Sequence, residues 1–326
     1  MALFDCSQRA TAVVPNLFGC GIPANLSLRN APFIFVHVPK ASGTSAEVLL
    51  RTWRNTTRNP EKLLRLLRPP APGAALSGRS LYIGKRSGLA EHAVPGLKIM
   101  ATVLREPAER MLSHYTYLRA RSRARLLSTP GLCTVTGPHA NLSFGEWYAR
   151  HHARLPDINE FEVRLLVTEP AQVDIVRSAE ASTQGLDGCT WAQLPTVTDE
   201  HVRLARGRLR GMSLIGLTSD FDRSMRLWAA RLPGFEYRRV RICGNAQFQA
   251  CGRSKRAQIP GDVLQRIRKE NPGSYALWNE ARALFAGQRK AADHTLAAEA
   301  TRILGARKRT RTRTGLGARR RGPGVT

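Results

Sequence analysis

The sequence is poor in acid, in aromatics and in long apolar runs. Only 24 Asp and Glu stand against 51 Lys and Arg in 326 residues, a formal net charge of +27. A surface this basic repels cations, so the candidate partners are polyanions: nucleic acid, an anionic membrane or an acidic polysaccharide. Aromatics make up 6% and none interleave with the basic tail, so the stacking platforms of a single-strand nucleic-acid binder are missing. No run reaches the roughly 18 apolar residues of a membrane helix. The opening MALFDCSQRATAVVPNLFGCG has no basic leader ahead of an apolar stretch, and it reads as neither signal peptide nor anchor. Six scattered cysteines (Cys6, Cys20, Cys133, Cys189, Cys243, Cys251) lack CxxC spacing. That argues against zinc and leaves disulfides open, with Cys243 and Cys251 able to close a short loop.

What is present has a globular composition, 42% hydrophobic and 23% charged, which excludes wholesale disorder and low-complexity classes. The length suits one large domain or two smaller ones at about 150 residues each. Eight basic residues and no acid lie between Gly305 and Thr326; removing those eight from +27 leaves +19, so the excess belongs to the folded body as well. Sequons at Asn25, Asn55 and Asn141 would accept glycans if the chain entered the secretory route.

Along the chain, FIFVHV (Phe33 to Val38) reads as a buried parallel strand. It runs into Pro39 and the loop Lys40-Ala-Ser-Gly-Thr-Ser45, after which Ala46, Val48, Leu49, Leu50 and Trp53 recur at helical spacing. From Arg54 to Gly78 the Arg-rich stretch followed by PPAPGAALSG suggests a helical excursion and an exposed loop. Further strands are expected at Leu81 to Ile83, Lys98 to Leu104 and Ser213 to Leu217, with helices from Glu106-Pro107, from Phe221 to Leu232, and through Tyr275, Trp278, Ala281 and Phe285. The stretch from Ser128 to Ser143 reads as an insertion loop. Strands alternating with helices argue for an α/β fold built on a central parallel sheet.

Two segments carry chemistry. Pro39 to Ser45 brings a strand, through a Gly-containing turn, to a helix start. Free backbone N–H groups and the positive end of the helix dipole then meet at one point, an anion site. Lys40 adds a charge, Thr44 and Ser45 add hydroxyls, and Gly43 permits close approach. The pattern GxxxxGK[ST] of nucleotide-triphosphate loops is absent, as is an apolar strand ending in Asp to hold magnesium. The site therefore suits an anion bound without a metal better than Mg-ATP, and a P-loop kinase is disfavoured. In the second segment Arg105 leaves the carboxyl end of a strand, where open α/β sheets bind ligands, with Arg110 and Ser113 farther along the following helix.

Together, PKASGTS at 39 to 45 and LREPAERMLSHY at 104 to 115 resemble the paired cofactor motifs of Golgi-type carbohydrate sulfotransferases, the superfamily of the heparan sulfate 2-O- and 6-O-sulfotransferases. Weaker likenesses lie at 208 to 228 and in YALWNEARALF, so the resemblance spans roughly 33 to 290. It implies a P-loop NTPase-like single domain at 33–290, an N-terminal extension at 1–32 and a basic, disordered tail at 291–326. It also implies that Lys40, Gly43, Thr44 and Ser45 cradle the 5′-phosphosulfate of 3′-phosphoadenosine 5′-phosphosulfate (PAPS), with Arg105 and Ser113 on the 3′-phosphate and no metal. Glu106 stands where the family more often has Asp.

Sulfuryl transfer needs a group to take the acceptor's proton, and an imidazole suits the task. The family's usual Gly-His is Gly84-Lys85 here; His92, in GLAEHAV, is the nearest remaining imidazole and the expected base, with Lys85 the lesser alternative. His37 and His114 are expected to orient the site or to pack, and Trp53, Trp228 and Trp278 to lie in the core. The implied activity is transfer from PAPS to a hydroxyl of an acidic, glycosaminoglycan-like carbohydrate, with Arg121, Arg123 and Arg125 beside the acceptor cleft. A noncatalytic polyanion-binding relative and a basic nucleic-acid-binding protein are the alternatives. The family usually works in the Golgi lumen on a membrane anchor; with no anchor or signal in view, a cytoplasmic place stays open.

Overall fold

Four residues, FIFV, are apolar at every position, and a strand with no polar side must be covered on both faces. The computed structural model describes residues 33–56, 63–65, 81–84, 98–123, 132–167, 195–232, 234–237 and 259–317. In it these four residues form β1 (Phe33–Val36), each fully buried. Burial on both faces likewise gives β4 (Ile99–Leu104), apolar but for Thr102, and β5 (Leu214–Leu217), both buried along their whole lengths. With β2 (Leu63–Arg65) and β3 (Leu81–Gly84) they make a five-stranded sheet in the order β2-β3-β1-β4-β5, every pairing parallel.

Parallel strands need crossovers, and helices flank the sheet. α1 (Gly43–Thr56) follows β1, and α2 (Pro107–Arg123) follows β4. Past two short 3-10 turns come α3 (Phe144–His151), α4 (Phe161–Leu166) and α5 (Asp199–Gly211), which leads into β5. The last described elements are α6 (Phe221–Ala229), α7 (Gly261–Glu270) and α8 (Pro272–Gly317). The α/β architecture with a parallel sheet flanked by helices is thus the one expected. No helix among the described residues is long and apolar enough to cross a membrane.

Two readings differ from the structure. The helical excursion expected within 54–78 instead holds β2, since Leu63-Leu64 beside β3 gains a ladder partner that a lone short helix lacks. The tail expected from 291 continues α8 as helix to Gly317. Ala291, Ala292, Ala297, Ala298 and Ala300 have the highest intrinsic helix propensity, and basic residues near a helix C-terminus are favoured by its dipole.

The core is in two parts. One surrounds the sheet and includes Trp53, Leu209, Trp228, Leu277, Trp278 and Phe285, with all three expected core tryptophans in it. The other lies under α2, where Met111, Leu112, Tyr115 and Leu118 meet Phe144, Trp147, Tyr148 and Ile267; His114 is buried here beside the Trp147 ring. Among the described residues β5 is an edge strand, and a side chain closes its outer side: Gln288 of α8 accepts from Ile215 N at 3.1 Å and donates to Ser213 O at 3.4 Å. At 2% exposure, Gln288→Leu keeps the volume and leaves two strand groups unsatisfied. We expect a loss of about 1–3 kcal/mol in urea unfolding; an unchanged midpoint would mean that the edge is not sealed by this side chain.

Candidate functional site

The connections running from β1 and from β4 lead to opposite sides of the sheet, because β1 is followed by β2 and β3 on one flank and β4 by β5 on the other. The crevice between the carboxyl ends of β1 and β4 is therefore the topological switch point, where open parallel sheets hold ligands. Both sequence motifs leave the sheet at this crevice, one from each strand.

On the β1 side, Lys40 and Ser42 have φ of 64° and 60°, left-handed values for non-glycine residues. Each such residue is disfavoured by roughly 1–2 kcal/mol. Ala41 between them is not left-handed, and alternation of this kind turns successive N–H groups toward one concavity, an anion nest. The nest opens onto α1. Ala46 N donates to Ser42 O at 3.1 Å, which makes Ser42 the cap and places the N–H groups of Gly43, Thr44 and Ser45 in the first turn of α1. Thr44 is exposed and Ser45 half-buried.

Gly43 sits where it does because of His37. A Cβ at this position would fall 2.2 Å from His37 Cδ2 and 2.5 Å from Nε2, so the imidazole occupies the space a side chain would need. The ring is held by Glu47 of α1, whose Oε2 lies 3.3 Å from Nδ1, while the other carboxylate oxygen accepts from Arg51. The bond to His37, ahead of the charges of His37 and Arg51, holds the Glu47 carboxyl below the ordinary carboxylate range against the effect of burial. His37 is thus a strut between β1 and the loop. Glu47 is a neighbour of the loop that sequence reading missed; its four-residue spacing from Arg51 was the available signal.

On the β4 side, Thr102 Oγ1 donates to Val36 O at 2.9 Å and ties the two strand ends together. Beyond β4, Glu106 caps α2 by accepting from Glu109 N at 2.8 Å, with Pro107 in the first turn. Glu106 thus serves as the cap, and its other oxygen accepts from Tyr275 at 2.6 Å. Arg105, immediately before the cap, crosses the crevice: its Nη1 donates to Lys40 O at 3.3 Å, and its Nε faces Glu109 Oε2 at 3.4 Å. Burial draws this guanidinium below the ordinary arginine value, while Glu109 and Glu106 oppose that and Arg110 adds to it. Lys40 and Arg105 are hence brought together.

Ser113 is buried two turns into α2. At four-residue spacing it shares a helix face with Tyr117 and Arg121, and that face meets the loop, since Lys40 Nζ lies 4.1 Å from the centroid of the Tyr117 ring. Tyr117 was not singled out from the sequence, although its spacing from Ser113 was legible. Arg121 lies on the same ring at 5.9 Å. His92, Lys85 and Arg125 lie outside the described residues. Neither protein-family models nor curated proteins match this chain.

Proposed function

We propose that this chain transfers the sulfuryl group of PAPS to a hydroxyl of a carbohydrate, on a P-loop NTPase-like fold. The observation that carries the reading is the hydrogen bond from Arg105 to the Lys40 carbonyl, which joins the two motifs across one crevice. A nest with a lysine on one wall and an arginine on the other fits a ligand with phosphate at both ends. Lys40 and the N–H groups of Gly43, Thr44 and Ser45 would hold the 5′-phosphosulfate, and Arg105 with Ser113 the 3′-phosphate. The donor supplies the sulfuryl group: an acceptor oxygen–sulfur bond forms as the bond from sulfur to the bridging phosphate oxygen breaks. Lys40 and the loop amides stabilise the negative charge growing on that oxygen. The acceptor's proton goes to a base, for which His92 is our assignment. The basic body, +19 without the tail, supports an acidic polysaccharide or glycosaminoglycan-like acceptor, and the resemblance supports action in the Golgi lumen.

Adenosine 3′,5′-bisphosphate without magnesium is expected to raise the melting temperature, since a ligand at 100 times its Kd stabilises the native state by about 2.7 kcal/mol. Stabilisation by Mg-ATP alone would overturn the reading. Transfer of labelled sulfate from PAPS to desulfated heparin then tests catalysis. Binding without turnover would leave a noncatalytic polyanion-binding protein.

A further inference from the structure

Two opposite charges stand side by side at the start of α2 without pairing. Arg105 and Glu106 are adjacent in the chain, yet among the described residues they form no ion pair with each other. Arg105 reaches instead to Lys40 O and to Glu109. Both Glu106 oxygens are engaged elsewhere, Oε2 by Glu109 N and Oε1 by the Tyr275 hydroxyl, 2.6 Å away on α8. We propose that Tyr275 is a positioning residue that holds the Glu106 carboxylate at the α2 cap and so keeps it from competing with an incoming anion for Arg105. The inference rests on the reading above for the identity of that anion.

Arg105 already carries one carboxylate, Glu109, on its Nε edge at 3.4 Å. A guanidinium has five N–H donors in a fixed fork, so a second carboxylate on the other edge would take donors that a phosphate needs. Glu106 is the carboxylate within reach, since its charge is felt at Arg105. It is buried, so without the tyrosine its Oε1 would have little water to turn to, and a buried charge needs a partner. A tyrosine supplies that partner without adding charge. Burial, and after it the bond to Glu106, push the Tyr275 hydroxyl above the ordinary phenol range against the pull of Arg268, so it remains a donor at neutral pH.

The start of α8 fixes where this hydroxyl lies. Glu160, buried and left-handed at φ 48°, accepts from Gly273 N and Ser274 N and so caps the helix. Such a backbone persists where the surroundings over-determine it. Tyr275 N donates to Asn271 O at 3.2 Å, and the Asn271 side chain, fully buried, donates to Tyr148 and accepts from Glu160 N. The segment YALWNEARALF therefore enters the site through its first residue, from an anchored turn.

The test titrates the full chain with inorganic pyrophosphate and with adenosine 3′,5′-bisphosphate, and Arg105→Gln identifies the binding that Arg105 supports. Tyr275→Phe keeps the ring and removes only the hydroxyl. It is expected to weaken that binding about fivefold, the scale of a partly exposed ion pair. Glu106→Gln keeps an oxygen for Glu109 N but removes the charge. In Tyr275→Phe/Glu106→Gln the affinity is therefore expected to return to within about twofold of Glu106→Gln alone, a recovery that a merely structural tyrosine would not give. On the Arg105→Gln background, Tyr275→Phe should have no further effect. Unchanged affinity in Tyr275→Phe, a loss that Glu106→Gln does not recover, or an equal loss on the Arg105→Gln background overturns the proposal. Wild-type binding of pyrophosphate but not of the bisphosphate would remove the donor reading and leave Tyr275 to be judged on pyrophosphate. Binding of neither anion, or binding that Arg105→Gln does not lower, also overturns the proposal.

Discussion

Gly43→Ala is expected to lower stability by about 1–3 kcal/mol, the range for forcing a methyl group into a filled space, and to weaken anion binding by at least about tenfold. The added Cβ would fall within 2.5 Å of two atoms of the His37 ring, far inside carbon–carbon contact at about 3.5–4.0 Å. His37 has little room to retreat: Glu47 holds its Nδ1 side, and the Phe35 ring lies 6.1 Å away on the strand behind it. The strain therefore passes into the first turn of α1, whose N–H groups form the floor of the nest, so stability and binding fall together. Urea unfolding and a pyrophosphate titration measure the two effects. The double variant His37→Ala/Gly43→Ala supplies the control, because removing the imidazole makes room for the methyl. We expect its cost to fall below the sum of the single costs. Strict additivity would show that the methyl meets something other than His37.

Much of the fold was legible because the sheet is buried. FIFV, IMATVL and LIGL carry no polar alternation, and such runs are strands of a covered parallel sheet or nothing stable. The site was legible for a related reason: each motif begins where an apolar run stops, and the carboxyl ends of parallel strands share one rim. Less was legible where short elements depend on partners distant in sequence. β2 exists through its pairing with β3, and the Leu63-Leu64 pair gives no local sign of that. α3 had a local signal in the Ser143 and Glu146 capping box, which its place beside a turn-rich stretch obscured. The Tyr117 contact was hidden because its partners are distant in sequence, and so was the left-handed backbone at Lys40. Nothing in PKASGTS but tertiary context calls for positive φ at a lysine.

Arg110→Met is expected to have the largest effect on stability, about 3–5 kcal/mol, the usual consequence of removing one partner from a buried ion pair. Arg110 and Glu162 are 1% and 2% exposed, their charged groups are hydrogen-bonded to each other, and the guanidinium lies 4.8 Å from the centre of the Phe161 ring. With Arg110 gone, the Glu162 carboxylate would be left buried without its cation, and its Oε2 already has no hydrogen-bond partner among the described residues. The double variant Arg110→Met/Glu162→Leu removes both charges and keeps most of the volume, so most of the loss should return. Urea unfolding of the two variants decides this: a loss below about 1 kcal/mol in Arg110→Met would show that the pair is not desolvated. The comparison also separates two roles within one motif. Arg105 faces the crevice, whereas Arg110, five residues later, faces α4 and anchors the helix that presents Arg105. In the stable double variant, anion affinity should therefore stay within about threefold of the native chain, a change of less than 1 kcal/mol. A larger fall would mean that Arg110 reaches the ligand itself.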